Sequence, residues 1–257
     1  MKTLYIAFGT LLIWASLTTV GLAQRSRMNN YDAITTYRIG TQSLGLSQVN
    51  QALQQAGYNS LSTQVSVFSV ASQITRPNRS LAFQSELGVS FGSGLAVTNG
   101  TYKAKTVLWY AKLGASYGVI KTDRFQLAPQ LSIVSLPFRL TVAPMNNTTP
   151  SLNTVLANPG SAQTATLRTN SLGLDAGLIA NLRIPYGSPR QYDCTTVERS
   201  FVIGLDAGYR LAANTPLDGS RELSATNPAI QLSGWYAGLH LGFGRRVRST
   251  ATAPVTF

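Results

Sequence analysis

Long stretches of the chain alternate apolar residues with small or polar ones, which is the pattern of a β-strand with two unlike faces. The clearest stretch is residues 172–184. Its apolar face consists of Leu172, Leu174, Ala176, Leu178, Ala180, Leu182 and Ile184. Its small or polar face includes Gly173, Asp175, Gly177, Asn181 and Arg183. Residues 201–211 and 107–119 follow the same rule. Each stretch exceeds the ~9 to 11 residues that a tilted strand needs to cross a bilayer. The pattern predicts strands with one face toward lipid and the other toward a polar lumen.

Weaker alternation predicts five more strands and brings the total to about eight. Their ranges are 31–40, 63–75, 81–96, 125–142 and 229–246. The apolar phase slips near Val134 and again near Ser233 and Gly234. Because one extra residue in a strand reverses the facing of all the later residues, the slips predict two β-bulges.

Residues 46–57 have helical instead of strand periodicity. Leu46, Val49, Leu53 and Ala56 recur at helical spacing, and we expect Ser47 to cap the helix and Gly57 to end it. Two placements stay open: a connection packed at the barrel rim, and a plug inside the lumen.

The connections alternate between short and long. The turns at 76–80 and 121–124 are short, whereas the links at 143–163 and 213–227 are long and contain Asn, Thr, Pro and Gly. If both termini are periplasmic, the long links are outer loops. Residues 185–198 break this rule, since they fall on the periplasmic side, are long, and contain Cys194.

The first 23 residues have the features of a cleaved secretory signal. Lys2 precedes an apolar stretch, and small residues stand three and one before the expected cut after Ala23. A membrane-spanning helix is the alternative, although threonines and Ser16 dilute the stretch. We therefore expect a signal peptide at 1–23 and one barrel domain at 24–257.

The composition agrees with an exported protein that contacts lipid. Hydrophobic residues make up 44% and charged residues 12%, about half the charged share of a soluble domain. Cys194 is the single cysteine, which excludes an internal disulfide. No later stretch is apolar enough for a transmembrane helix, and a closed barrel is the other fold that pairs every backbone group in lipid. The expected fold class is all-β, a transmembrane antiparallel up-and-down barrel of about eight strands with one short N-terminal helix.

Glycine-spaced strand cores carry a family resemblance. They are residues 87–92 (LGVSFG), 113–118 (LGASYG) and 239–244 (LHLGFG), with Trp235 and Tyr236 opening the last strand. The chain resembles the small, eight-stranded outer-membrane β-barrel proteins of Gram-negative envelopes. The resemblance implies this fold, an outer-membrane location, and recognition by the barrel insertion machinery through a terminal aromatic residue, either Phe257 or Phe243.

The motif Gly-Leu-Asp-Ala-Gly occurs at 173–177 and again at 204–208, and it places two aspartates inward. With further inward charges it predicts a lumen charge network of Glu86, Lys112, Asp175, Arg183, Asp206, Arg210 and His240. A structural role is expected, because side chains fill an eight-stranded barrel and buried charges must be paired. A proton or ion path is the alternative.

The sequence offers few residues that could form a catalytic site or a metal site. His240 is the only histidine, and no second constellation selects Ser90, Ser116 or Ser233 as a nucleophile. One His and one Cys give no metal-ligand spacing, and Gly92-Ser93-Gly94 is not a phosphate loop. We expect no enzyme activity, no metal and no cofactor.

The formal net charge is +12, one less after loss of Lys2. The basic residues are scattered and do not form a nucleic-acid-binding face. In the expected topology many lie toward the periplasm, where they can contact anionic lipid head groups: Arg76, Arg79, Lys121, Arg124, Arg183, Arg190, Arg199, Arg245, Arg246 and Arg248. The expected partners are outer-membrane lipid and an unknown surface or periplasmic partner, but no nucleic acid.

The expected function is a membrane scaffold or surface-interaction protein that acts through its outer loops. Asn146, Asn147, Arg221 and Glu222 are the recognition candidates in those loops. Two alternatives stay open. The first is a narrow channel or transporter, which the inward glycines at 173, 177, 204 and 208 would favour, and the second is a soluble exported β-domain that binds a small ligand.

Overall fold

Eight long strands and one helix build the computed structural model, which describes residues 30–76, 79–145, 164–192, 195–216, 218–219 and 229–249. The strands are β1 (Tyr31–Ser43), β2 (Gln64–Thr75), β3 (Leu81–Phe91), β4 (Tyr102–Tyr117), β5 (Phe125–Pro144), β6 (Ala165–Pro185), β7 (Thr195–Ala212) and β8 (Gly234–Ser249). Helix α1 is Ser47–Gln55. Short pieces occupy the connections: a 3₁₀ turn at Ser93–Leu95 and strands at Ala96–Thr98, Ile120–Lys121, Arg190–Tyr192, Thr215–Pro216, Asp218–Gly219 and Ala229–Ile230.

The eight strands close into one antiparallel barrel. Each pairs with its neighbour in sequence, and β1 pairs with β8 to complete the circle, for example Tyr37 opposite Leu241. The predicted fold class, an up-and-down barrel of eight strands with one short helix, is confirmed. Among the described residues, no helix is long and apolar enough to cross a bilayer.

The barrel has two unlike ends. The terminal end carries the first residues of β1, the last residues of β8, and the connections at 76–80, 118–124 and 186–194; the loop end carries α1 and the longer connections. The 186–194 connection includes a short strand that pairs with the first residues of β7. Cys194 and residues 1–29, which contain the expected signal peptide, lie outside the described residues, as do Pro254 and Phe257.

The alternation predicted for β6 is present. Leu172 and Leu178 are more than half exposed on the outer wall, whereas Asp175 and Asn181 are buried inside. Such an apolar exterior would be unfavourable in water but is favourable in contact with lipid. The polar side chains of the interior can form hydrogen bonds and ion pairs with one another.

Strand β5 contains no bulge near Val134, so this prediction is wrong. Its register with β6 is unbroken from Phe125 to Val142, and buried residues alternate throughout. What changes at Val134 is polarity. Toward the terminal end the inward residues are Ala128 and the polar Gln126, Gln130 and Ser132, and the outward ones include the apolar Leu131 and Ile133. Toward the loop end the inward residues are apolar (Val134, Leu136, Phe138 and Leu140), and the outward ones include Ser135, Arg139 and Thr141.

The second predicted bulge, near Ser233 and Gly234, coincides with an interruption of the strand: β8 begins at Gly234, and Gly45 pairs with Gln231 two residues out of the register that β1 and β8 keep. The register of β8 with β7 runs without a break from Gly234 to Ser249. The preceding residues Ile230 and Leu232 are buried inside, in the same phase as Tyr236. The apolar phase reverses here because the interior of the loop end is apolar, and the interruption at 232–233 leaves the facing of these residues unchanged.

Helix α1 lies at the loop end, between β1 and β2. Val49 and Leu53 are buried in one apolar cluster with inward residues of the strands, including Leu136, Phe138 and Ile230. Asn50 fixes the helix by accepting from the Leu61 amide at 2.8 Å and donating to the Leu61 carbonyl at 3.0 Å.

The predicted end of α1 is confirmed and the predicted start is not. Gly57 follows the helix at φ 80°, a left-handed conformation that glycine adopts without steric cost. Ser47 is the first helical residue instead of the cap, and Leu46 stands at the capping position without a side-chain hydrogen bond.

Candidate functional site

A belt of charged side chains crosses the middle of the barrel interior. Glu86 is its most connected member: Oε2 accepts from Arg38 Nη1 at 2.8 Å and lies 2.9 Å from Lys112 Nζ. Its other oxygen accepts from the hydroxyls of Ser69 at 2.7 Å and Tyr110 at 2.8 Å. Each oxygen of this buried carboxylate is therefore satisfied.

Asp175 and Arg210 form the second part of the belt. Arg210 donates from Nε and Nη2 to the two oxygens of Asp175, at 2.7 and 3.0 Å, in a bidentate pair. Arg210 also donates to Gln42 and stacks on Tyr110, with its guanidinium carbon 5.0 Å from the ring centre. Lys112 lies 3.7 Å from Asp175 and thereby joins this pair to Glu86.

Asp206 and His240 form the third part. Asp206 Oδ2 lies 3.5 Å from Arg38 Nη1, and Asp206 Oδ1 lies 3.6 Å from His240 Nδ1. The other ring nitrogen of His240 is 2.5 Å from Asn181 Oδ1. The belt as a whole balances three cations against three carboxylates, which are Arg38, Lys112 and Arg210, and Glu86, Asp175 and Asp206.

Arg183 is the one predicted network residue that lies elsewhere. It donates to both oxygens of the buried Asp32, at 2.7 and 2.6 Å, nearer the terminal end. Arg246 approaches the same aspartate at 3.6 Å and also lies 3.0 Å from Asp123. The other six predicted residues, Glu86, Lys112, Asp175, Asp206, Arg210 and His240, are brought together in the belt.

The inward glycines make room for large side chains of the belt. A Cβ on Gly88 would collide with the ring of Tyr110, and one on Gly204 with the ring of His240. A Cβ on Gly177 or Gly208 would lie 2.5 or 2.6 Å from the hydroxyl of Tyr236. These glycines therefore do not open the lumen, because their space is occupied by Tyr110, His240 and Tyr236.

Sequence reasoning missed Arg38 and Asp32. Both are buried, and they lie six residues apart on the inward phase of β1 with Ile34 and Thr36 between them. The outward residues of this strand include Thr35 and Thr41, so the polarity contrast between its two faces is weak. The period of two, applied to the predicted range 31–40, would have placed both charges inward.

The apolar cluster closes the loop end above the charge belt. It contains Leu108, Val134, Leu136, Phe138 and Leu140 from the strands, Val49 and Leu53 from α1, and Ile230 and Leu232 from the last connection. Beside the belt, one cavity of about 10 Å³ is lined by Arg38, Glu86 and Asn181. That volume is about one water molecule.

The serines considered as nucleophiles have other partners. Ser90 accepts from the Leu108 amide, Ser116 accepts from Gln73, and Ser233 bonds to the backbone of Ala212. Within the described ranges, no group of three or more His, Cys, Asp or Glu residues is arranged to hold a metal ion.

The terminal end is rich in basic residues. Lys121 donates to the carbonyl of Arg79 at 2.8 Å, and its partial burial lowers the pKa of its ammonium group. An open cavity of about 650 Å³ beside it is lined by Asp123, Arg246 and Arg248, among others.

The loop candidates Asn146, Asn147, Arg221 and Glu222 lie outside the described residues.

Comparison with known proteins finds similar folds and no sequence family. No family model matches the chain, and no curated protein matches it. Among solved structures, Ail, the attachment invasion locus protein of Yersinia pestis, has a TM-score of 0.42 and 10% identity and covers 85% of this chain and 99% of its own. A major outer membrane protein from Thermus thermophilus has a TM-score of 0.40 and 13% identity over 83% and 98%. Neisserial surface protein A has a TM-score of 0.32 and 10% identity over 85% and 96%.

The fold assignment rests on the geometry of this chain itself. Eight antiparallel strands close on each other, an apolar wall faces outward, and a paired set of charges faces inward. In lipid, every backbone N–H and C=O group must be hydrogen-bonded within the protein, and polar side chains must be kept away from the hydrocarbon. This combination of features meets both requirements. The chain thus has the fold of the small, eight-stranded outer-membrane β-barrel proteins.

Proposed function

We propose that this protein resides in the outer membrane as a closed, non-enzymatic barrel and acts as a membrane scaffold or surface-interaction protein through its loop end. The observation that carries the proposal is the filled interior. The charge belt balances its own charges, and the apolar cluster with α1 covers it at the loop end. An ion would have to break paired charges and then pass an apolar barrier.

The reversal of polarity along β5 supports a role at the surface. Beyond Val134 the barrel has an apolar core and exposed polar residues such as Arg139, which is the arrangement of a water-soluble protein. Such an extension places Pro144 of β5 and Ala165 of β6, the strand ends at the connection 143–163, away from lipid. Loops on a rigid support are the usual place for recognition.

Heat-modifiable mobility and conductance together test the proposal. Protein from a detergent-extracted outer-membrane fraction is run boiled and unboiled, and the unboiled band is expected to be compact. The same protein in planar bilayers is expected to show no steady conductance. Recovery in the soluble periplasmic fraction without a shift would exclude the membrane location, and a stable single-channel conductance would favour the channel alternative.

Loop replacement tests the surface role. Whole cells that display the protein are tested for binding to a panel of surfaces and ligands. We expect this binding to be lost when residues 146–163 or 220–228 are replaced by short Gly-Ser linkers. The linker variants should keep the heat shift of the unmodified protein. Unchanged binding by both variants would remove the loops as recognition elements.

A further inference from the structure

A pair of arginines faces outward where the wall of the barrel leaves its apolar band at the terminal end. Arg199 of β7 lies directly opposite Arg245 of β8 in the strand register, and both are exposed. Like charges placed directly opposite each other destabilise a sheet. The arrangement would be relieved by an anion that lies between the two guanidinium groups.

A third arginine and a phenol lie on the same outer face. The strand Arg190–Tyr192 pairs with the first residues of β7, which places Arg190 opposite Val197, two residues from Arg199. The hydrogen bond with Arg190 and the nearby charges of Arg199 and Arg245 lower the pKa of the Tyr192 hydroxyl. Tyr192 lies opposite Thr195, on the same face of β7 as Arg199.

No ion pair neutralises these three arginines within the part of the chain that the structure describes. Two described carboxylates near these arginines in sequence and register pair elsewhere: Glu198 lies 3.7 Å from Arg246, and Asp32 pairs with Arg183. Asp193, which follows Tyr192, lies outside the described residues. The described part of this outer surface therefore carries three positive charges, from Arg190, Arg199 and Arg245.

The apolar band begins at the next outward position of each strand toward the loop end. Phe201 lies opposite Phe243, with ring centres 5.8 Å apart in an edge-to-face arrangement. From Phe201 to Leu211 the outward residues of β7 span roughly 25 Å of membrane depth, taking about 3.3 Å per residue and a tilt of about 40°. The arginines consequently stand at the level of lipid head groups and the phenylalanines at the start of the acyl chains.

We propose that Arg190, Arg199 and Arg245, with the hydroxyl of Tyr192, bind the phosphate of an anionic glycerophospholipid whose acyl chains lie against Phe201 and Phe243. Guanidinium groups match the two free oxygens of a phosphodiester, and the phenol can donate to the same group. The proposal rests on the proposed function, since the protein must span the membrane for this face to meet lipid. It assigns the terminal end to the leaflet that contains glycerophospholipids.

Native mass spectrometry of the folded, detergent-solubilised protein tests this site. The probes are phosphatidylglycerol and phosphatidylcholine with the same acyl chains, and inorganic phosphate. We expect the unmodified protein to retain phosphatidylglycerol over phosphatidylcholine by about tenfold, because each arginine near the surface attracts anionic lipid severalfold. Equal retention of the two lipids would overturn the proposal. Displacement of phosphatidylglycerol by millimolar phosphate would assign the site to a free anion and also overturn it.

The chain supplies a matched control. Arg139 of β5 and Arg168 of β6 are likewise exposed and directly opposite each other, but at the loop end, where Asp218 also lies opposite Arg168 in the register. The double variant Arg199→Gln/Arg245→Gln is expected to lose the preference for phosphatidylglycerol, whereas Arg139→Gln/Arg168→Gln keeps it. An equal loss in both would show unspecific attraction by net charge and would contradict a built site.

The heat shift of each variant separates this proposal from the proposed function. Removal of two facing like charges should leave the compact unboiled band intact. If the first double variant does not fold, the comparison of the two lipids on the unmodified protein decides the matter alone. A protein with a normal heat shift and no lipid preference would contradict the lipid site and leave the barrel function standing.

Discussion

The guanidinium of Arg38 and the carboxylate of Glu86 lie 2.8 Å apart across the barrel interior, although strand β2 separates their two strands in the wall. Glu86 also pairs with Lys112, so that one carboxylate compensates two buried cations. Together with Asp175 and Asp206 it holds opposite sides of the barrel at a fixed distance. The belt therefore connects strands on opposite sides of the barrel through ion pairs.

Loss of the Glu86 carboxylate should destabilise the barrel strongly. In Glu86→Gln, Arg38 loses its closest anionic partner and Lys112 retains only Asp175 at 3.7 Å. Removal of one partner from a buried ion pair typically costs about 3 to 5 kcal/mol. Urea unfolding in lipid vesicles, followed by the heat-modifiable band, measures the change. Glu198→Gln is the control, since its partly exposed carboxylate lies 3.7 Å from Arg246, and it should change stability by about 1 kcal/mol or less.

Asp206→Asn should lower stability without creating a conductance. Its carboxylate lies 3.5 Å from Arg38, which keeps Glu86, so we expect a smaller loss of about 1 to 3 kcal/mol. Planar-bilayer recordings should match those of the unmodified protein. A changed conductance with unchanged unfolding would refute the structural role of the belt and support an ion path.

Methyl groups added to the inward glycines should strain the barrel. In Gly88→Ala the new Cβ would collide with the Tyr110 ring, and in Gly204→Ala with the His240 ring. Overpacking of this kind costs about 1 to 3 kcal/mol. Gly118→Ala is the matched control, because its nearest neighbour would be the Ser80 carbonyl oxygen at an ordinary 3.6 Å. Equal unfolding midpoints for all three variants would mean that these glycines do not hold space for the side chains.

Helix α1 should present one face to solvent and bury the other. Gln51 and Gln55 are exposed, whereas Leu53 is buried in the apolar cluster. In a Cys194→Ser background, single cysteines at 51 and 55 are expected to react fully with a bulky maleimide, and one at 53 to be protected. Protection of 51 and 55 as well would place the helix inside the lumen.

The fold could be predicted well from sequence because the wall of a barrel depends on a local rule. Neighbouring residues face opposite solvents, so the period of two in residues 172–184 is enough to place Asp175 inside and Leu178 outside. The same rule brings six of the seven proposed network residues to one belt. The partners within the barrel, by contrast, depend on its closure, as for Arg183 and Asp32, which lie 151 residues apart.

The two phase slips that the sequence shows have a common physical cause. Both bulge predictions assume that apolar residues face outward along the whole of each strand, which holds where lipid surrounds the wall. At Leu136 and Leu232 the interior is apolar instead, since the helix and the last connection pack there. Sequence alone does not reveal this change, because the identity of the solvent around each part of a strand follows from the assembled barrel.

The reversal at Val134 divides the molecule into two bodies that share the same strands but obey opposite solvation rules. Below it the barrel is organised for hydrocarbon, and above it for water. The length of the water-facing part sets the distance between the lipid-facing wall and the strand ends at the loop end. Strand β5 thus passes from a lipid-facing wall to a water-facing one without a break in its register.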